Sequence, residues 1–101
     1  MTGKLSEAGV PALPPWVRLH FDPVRGRHVL LAPERVLFPC PIAVTVLQRL
    51  GEGRRLGALI DELTTEFAAP REVIARDVRA MMEDLLARNF LILRRPETVD
   101  G

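Results

Sequence analysis

Few residues in this chain have the type and spacing that chemistry needs. Cys40 is the one cysteine, set between Pro39 and Pro41 with no histidine or lysine expected beside it to lower the thiol pKa. Alone it can neither close an internal disulfide nor build a thiolate cluster, and it reads as a buried or half-buried structural cysteine. His20 and His28 fall in one predicted hairpin and can face each other across it. Two imidazoles without a carboxylate or thiolate make a poor metal site, so they read as solvated strand histidines. Gly51-Glu52-Gly53 follows a predicted helix rather than a strand and lacks the rest of any phosphate-binding loop. Glu83 and Asp84 are neighbours on a predicted helix and point different ways, as a solvated face does. These residues imply neither an enzyme nor a cofactor or metal.

Binding chemistry has more to stand on. Thirteen of the 14 basic residues are arginines, against 13 acids, for a net charge of +1. Arginine suits fixed carboxylate pairs, and a chain built for nucleic acid carries a larger basic surplus. The helix predicted over 71–88 sets Arg71, Arg76, Arg79 and Arg88 against Glu72, Asp77, Glu83 and Asp84, so it is neutral. Four carboxylates beside a phosphate backbone are repelled, and Glu72–Arg76 is a helix-stabilising i, i+4 pair. DNA binding by a helix-turn-helix stays as the alternative reading. A short strand predicted over Arg35–Phe38, close to prolines, leaves an edge to which an extended peptide can add, and the apolar and arginine side chains of the last helix can wall such a groove. The plainer reading is that Val36, Phe38, Ile74, Val78 and Met82 are core; Met81-Met82 is a weak sign of an adaptable surface.

The elements that would position these residues follow from the pattern. With 101 residues, 48% hydrophobic and 27% charged, the chain fits one globular domain. Apolar runs reach four or five residues, far short of the roughly 20 of a membrane span. Met1–Pro15 has no continuous apolar stretch and does not read as a secretory signal, so a cytoplasmic protein with no membrane partner is expected. That segment, residues 1–15, reads as a flexible Pro/Gly-rich tail, and 94–101 as a polar tail, leaving 16–93 as the domain. Val17–Asp22 alternates as a half-buried strand, Asp22-Pro23-Val24-Arg25-Gly26 supplies a turn, and Arg27–Ala32 returns with Val29 and Leu31 on one face. Pro33-Glu34 precedes the strand over Arg35–Phe38.

The period then changes to helical. Ala43, Val46, Leu47 and Leu50 lie between Pro41 and Gly51; Leu56, Leu59, Ile60, Leu63 and Phe67 form a second stripe; Ile74, Val78, Met81, Met82 and Leu85 form a third, opened by Pro70 and closed at Asn89. The second helix has no Ser, Thr, Asp or Asn at its expected N-cap, so that end is expected to fray. Phe90–Leu93 is a short apolar closing segment. An N-terminal three-stranded antiparallel sheet followed by three helices is an α+β, winged helix-turn-helix-like layout.

The run Phe21-Asp22-Pro23-Val24-Arg25-Gly26-Arg27-His28-Val29-Leu30-Leu31-Ala32-Pro33-Glu34-Arg35-Val36 resembles the pyrroloquinoline quinone biosynthesis protein D family, PqqD. Gly53-Arg54-Arg55, Asp77-Val78 and the Leu85–Leu93 ending extend the resemblance over about Trp16 to Leu93. The chain departs from the family pattern at Pro39-Cys40-Pro41-Ile42, where a Leu-Asn-Glu-Thr-like stretch is common, and at Leu56, where a capping threonine is usual. The resemblance implies a winged-helix-like peptide chaperone, a recognition element for ribosomally made, modified peptides. Such a module binds the precursor peptide PqqA and presents it to the radical SAM enzyme PqqE, which cross-links a glutamate and a tyrosine on the way to the quinone. It also implies that the peptide adds as a strand against Arg35, Val36, Leu37 and Phe38 and packs against Arg71, Ile74, Ala75, Val78, Arg79 and Met82. No nucleic acid is expected as a partner.

Overall fold

The computed structural model describes residues 5–51 and 53–94. Its elements in chain order are β1 (Val10–Ala12), β2 (Arg18–Asp22), β3 (Arg27–Ala32), β4 (Arg35–Leu37), α1 (Pro41–Leu50), α2 (Leu56–Phe67), α3 (Arg71–Ala87) and β5 (Ile92–Arg94). β2, β3 and β4 form an antiparallel sheet in that order, and β1 pairs antiparallel with β5 in a separate ribbon. The α+β, winged-helix-like layout read from the sequence is therefore present, with a two-stranded ribbon added to it.

Local chemistry explains the sheet. Asp22 starts the hairpin turn: its carboxylate accepts the Val24 amide at 3.0 Å and its carbonyl accepts the Gly26 amide at 2.8 Å. Gly26 takes φ 69°, a left-handed conformation that costs glycine little. Leu30 of β3 faces Leu19 on one side and Leu37 on the other, and these three point into the core. The face shared by Val29 and Leu31 is thus the outer one, although Val29 is itself buried. The same register puts His20 opposite Val29 and His28 opposite Phe21, so the two histidines do not face each other across the hairpin. His28 instead meets the Phe21 ring edge-on at 5.1 Å.

The helices begin and end where punctuation residues stand. Pro41 opens α1, and Gly51 closes it at φ 52°. Cys40 is the α1 N-cap and is exposed, contrary to the buried cysteine expected: flanked by two prolines, it is held in extended backbone outside the helix. α3 ends in a Schellman motif. Asn89 sits at φ 66°, the Asn89 amide bonds the Leu86 carbonyl, and the Phe90 amide bonds the Leu85 carbonyl at 2.9 Å. Leu85 and Phe90 then both enter the core. The α2 stripe is buried at Leu56, Leu59, Ile60 and Leu63, but Phe67 is exposed, because the helix ends there and Ala68 turns the chain away through φ 49°.

The largest departure lies in the segment read as a flexible tail. Met1–Lys4 fall outside the described residues, as do Glu52 and residues 95–101, which take in most of the expected polar tail. From Leu5 onward the chain is packed. Leu5 is 5% exposed and belongs to the core cluster, Pro11 and Ala12 are buried, and β1 pairs with the closing segment through Pro11 and Leu93. A strand of three residues with proline at its centre carries no periodicity to read, yet it is tolerated in a two-stranded ribbon where proline needs no inner ladder bond. Gly53, at φ 132°, allows β1 to come close: a Cβ there would meet Val10 Cγ1 at 3.2 Å and Ala12 Cβ at 3.3 Å. The same segment replaces the missing cap of α2. The Leu56 amide donates to the Gly9 carbonyl at 2.8 Å, and the Gly57 amide donates to the Glu7 carbonyl at 2.9 Å. The end expected to fray is held from outside the helix.

Candidate peptide-binding site

β4 is the outer strand of its sheet. Ala32, Leu31 and Leu30 of β3 pair with Arg35, Val36 and Leu37, and among the described residues nothing pairs with the opposite edge. Its side chains alternate. Leu37 packs on the core, whereas Val36 is 53% exposed on the outer face. Phe38, one residue past the strand, is 43% exposed, and the guanidinium carbons of Arg27 and Arg25 lie 5.0 and 5.5 Å from its ring centroid. Two cations within cation–π range of one ring give this part-exposed apolar side chain favourable partners at the surface. Arg35 turns the other way and covers the Phe90 ring at 4.3 Å, tying β4 to the residue that closes α3. An unpaired strand edge beside exposed apolar side chains is suited to main-chain pairing with an extended peptide.

α3 holds the other residues. Ala75, Val78 and Met82 are buried in the core, so they back the helix surface rather than face solvent, and Ile74 is half-buried. The plainer reading therefore applies to Val78 and Met82 but not to Val36 and Phe38. Leu37 packs on the cluster that contains Ala75, Val78 and Met82, so β4 and α3 border one core. Arg71, Ala75 and Arg79 line a surface depression of about 590 Å³ together with Glu7, Glu72, Arg76, Ala80 and Glu83. No residue of β4 lines it.

That depression is already engaged by the chain itself. Arg71 grips the Glu7 carboxylate with both terminal nitrogens, at 2.8 and 3.1 Å, and gives its Nε to Asp61 at 2.7 Å. Arg79 donates its Nε to the Leu5 carbonyl at 3.0 Å, and the Leu5 amide donates to the Glu83 carboxylate at 3.0 Å. The hydrogen bonds from Arg71 hold the Glu7 carboxyl below its ordinary pKa, with the Arg71 and Arg79 charges acting in the same direction. Glu7 and then Asp61 raise the Arg71 pKa in turn, so this guanidinium stays charged. A second arginine–carboxylate group joins α1 to α2. Arg49 reaches Glu62 and Glu66, and Arg54 also pairs with Glu62, whose carboxyl is held low mainly by that Arg54 hydrogen bond. The preference for fixed pairs read from the arginine content takes this form.

Sequence reasoning missed Leu5 and Glu7 as neighbours of α3, and Arg25, Arg27 and Phe90 as partners of β4. No local signal in the sequence points from Arg71 to Glu7, which lies 64 positions away.

The profile of a family described as Coenzyme PQQ synthesis protein D (PqqD) matches residues 27–91. The chain belongs to the PqqD family. It is 49% identical over 87 residues to a protein named PqqA binding protein from Rhodopseudomonas palustris (strain BisB5), covering 86% of this chain and 85% of that one. A PqqA binding protein from Bradyrhizobium diazoefficiens is 47% identical over 94 residues, covering 93% and 91%. Among solved structures, the PqqD truncation of Methylobacterium extorquens PqqCD, determined by solution NMR, matches with a TM-score of 0.74 at 35% identity, covering 87% of this chain and 94% of that one. That structure is described as a functional, stand-alone recognition element for ribosomally synthesized and post-translationally modified peptides.

Proposed function

We propose that this PqqD-family chain is a non-catalytic peptide chaperone that binds a PqqA-type precursor peptide and presents it to the radical SAM enzyme PqqE in the cytoplasm. The observation that carries the reading is the unpaired β4 edge beside exposed Val36 and Phe38, in a chain whose relatives are named for PqqA binding. The peptide adds as a strand along Arg35–Phe38, and the α3 surface of Arg71, Ile74, Ala75 and Arg79, backed by Val78 and Met82, forms the wall. Main-chain bonds supply affinity, and acidic side chains reaching Arg71 or Arg79 supply register. Ordering the peptide on a small carrier raises its effective concentration at the modifying enzyme.

The test is a titration of isotope-labelled protein with the synthetic precursor peptide, read by amide shifts. Changes concentrated on Arg35–Phe38 and Arg71–Met82 are expected. Saturable binding with shifts elsewhere overturns the site but keeps the chaperone. Salt-sensitive DNA affinity with no peptide binding favours the winged-helix DNA-binding module instead. Presentation is tested separately: the peptide modification by the radical SAM enzyme should be faster with this chain present than without it.

A further inference from the structure

The segment Leu5–Gly9 engages α3 and α2 as a bound peptide would. It turns at Glu7-Ala8, where the Gly9 amide donates to the Ser6 carbonyl at 3.0 Å; its Leu5 side chain enters the core, and its main chain is held at four points: the Leu5 amide by Glu83, the Leu5 carbonyl by Arg79, the Glu7 carbonyl by the Gly57 amide and the Gly9 carbonyl by the Leu56 amide. Its one carboxylate sits in the two-nitrogen grip of Arg71, with Arg79 Nη2 3.9 Å away. Anchoring apolar side chain, main-chain bonds and a bidentate carboxylate contact are the three parts of peptide recognition, here supplied in cis. The ion pairs are part-exposed, so the hold on Glu7 is reversible.

We propose that the α3 seam of Arg71, Ala75 and Arg79 is a docking groove for an acidic peptide with an apolar residue two positions before a carboxylate, and that Leu5–Gly9 is its tethered occupant, displaced when such a peptide arrives. The inference rests on the reading of this chain as a precursor-peptide carrier and adds what the α3 half of the site recognises and what it must first release. The pattern is Leu5-Ser6-Glu7 itself. Because the segment is joined to the domain through β1, it competes as an intramolecular ligand, and an incoming peptide binds more weakly than its contacts alone would allow. Release has a structural signature. The Leu56 and Gly57 amides, which Gly9 and Glu7 now cap, become free at the α2 N-terminus.

The experiment uses the full chain and its Glu7→Gln variant, each titrated with the synthetic precursor peptide while amide shifts and hydrogen exchange are followed. In the unmodified chain, peptide binding should move the Leu5–Gly9 resonances toward free-chain positions and speed exchange at Leu56 and Gly57. The variant, with its hold on Arg71 weakened, should bind the peptide roughly threefold more tightly, the scale of one part-exposed ion pair. Binding by the variant alone also supports a tethered competitor. Peptide binding that leaves Leu5–Gly9 and the two cap amides unmoved, with equal affinity in both chains, overturns the groove and leaves the carrier function standing. Failure of both chains to bind the peptide overturns the carrier reading and this inference with it. The exchange measurement needs no substitution, so a variant that folded poorly would not remove the test.

Discussion

The β4 edge and the α3 seam are two halves of one expected surface in opposite states. β4 has an unpaired edge and exposes Val36 and Phe38, whereas the seam on α3 has every arginine that lines its Glu7 side engaged with carboxylates or a carbonyl. The difference comes from charge and distance along the chain. An arginine on a helix can be satisfied by any carboxylate the fold brings near, and here an acid 64 residues away does so. A strand edge needs a partner with a whole row of main-chain groups, which the described residues do not supply. On the proposed binding, one half would gain an interaction and the other would exchange one.

The sharpest way to break this comparison is to disturb the layer beneath it. Val78→Asp puts an unpaired carboxylate into the core and should cost about 4 kcal/mol, unfolding much of the protein, as read by urea denaturation. A peptide-binding defect in that variant would reflect lost fold rather than a lost wall. The edge itself is read by Val36→Lys, since Val36 is exposed: stability should change by less than about 0.5 kcal/mol while affinity for the precursor peptide falls roughly tenfold, measured by calorimetry. A variant that kept full affinity would remove β4 from the site. Arg35→Ala tests the link between the two regions. Loss of the cation over Phe90 should lower stability by about 0.5–1 kcal/mol, seen as a small fall in the thermal midpoint.

The smallest effect is the pH response of the seam. Glu7 faces Arg71 and Arg79, with Asp61, Glu72 and Glu83 as the other acids around it. Its carboxyl pKa is lower in the folded state than its ordinary value of 4.5, so the pair contributes stability above that value and loses it as pH falls through the lowered one. Exchange at the Leu56 and Gly57 amides should therefore stay slow at neutral pH and quicken only below about pH 4.5. Quickening near neutrality would show that Glu7 does not hold the segment.

Much of the helical half was legible because its information is local. Pro41, Gly51, Pro70 and Asn89 act on their own backbone torsions, and the stripes through Val46, Leu59 and Met82 repeat at helical spacing, so boundaries and core faces could be read directly. The hairpin was equally readable from Asp22 and Gly26. Its inward face was not, since Val29, Leu30 and Leu31 are all apolar and only register with Leu19 and Leu37 selects Leu30. Cys40 and Phe67 were misjudged for a related reason: residue type predicts burial on average, but both stand at helix ends where the chain leaves the core.

By itself the sequence determined three helices, an antiparallel hairpin with a short third strand, a neutral last helix and membership in a family. Tertiary structure alone decided that Leu5–Ala12 belongs to the domain, that Glu7 answers Arg71, and that borrowed carbonyls cap α2. The physical reason is range. Turn residues and helical periodicity act over a few neighbouring positions, whereas a three-residue strand with a central proline has meaning only once β5, more than 75 positions later, has come to lie beside it.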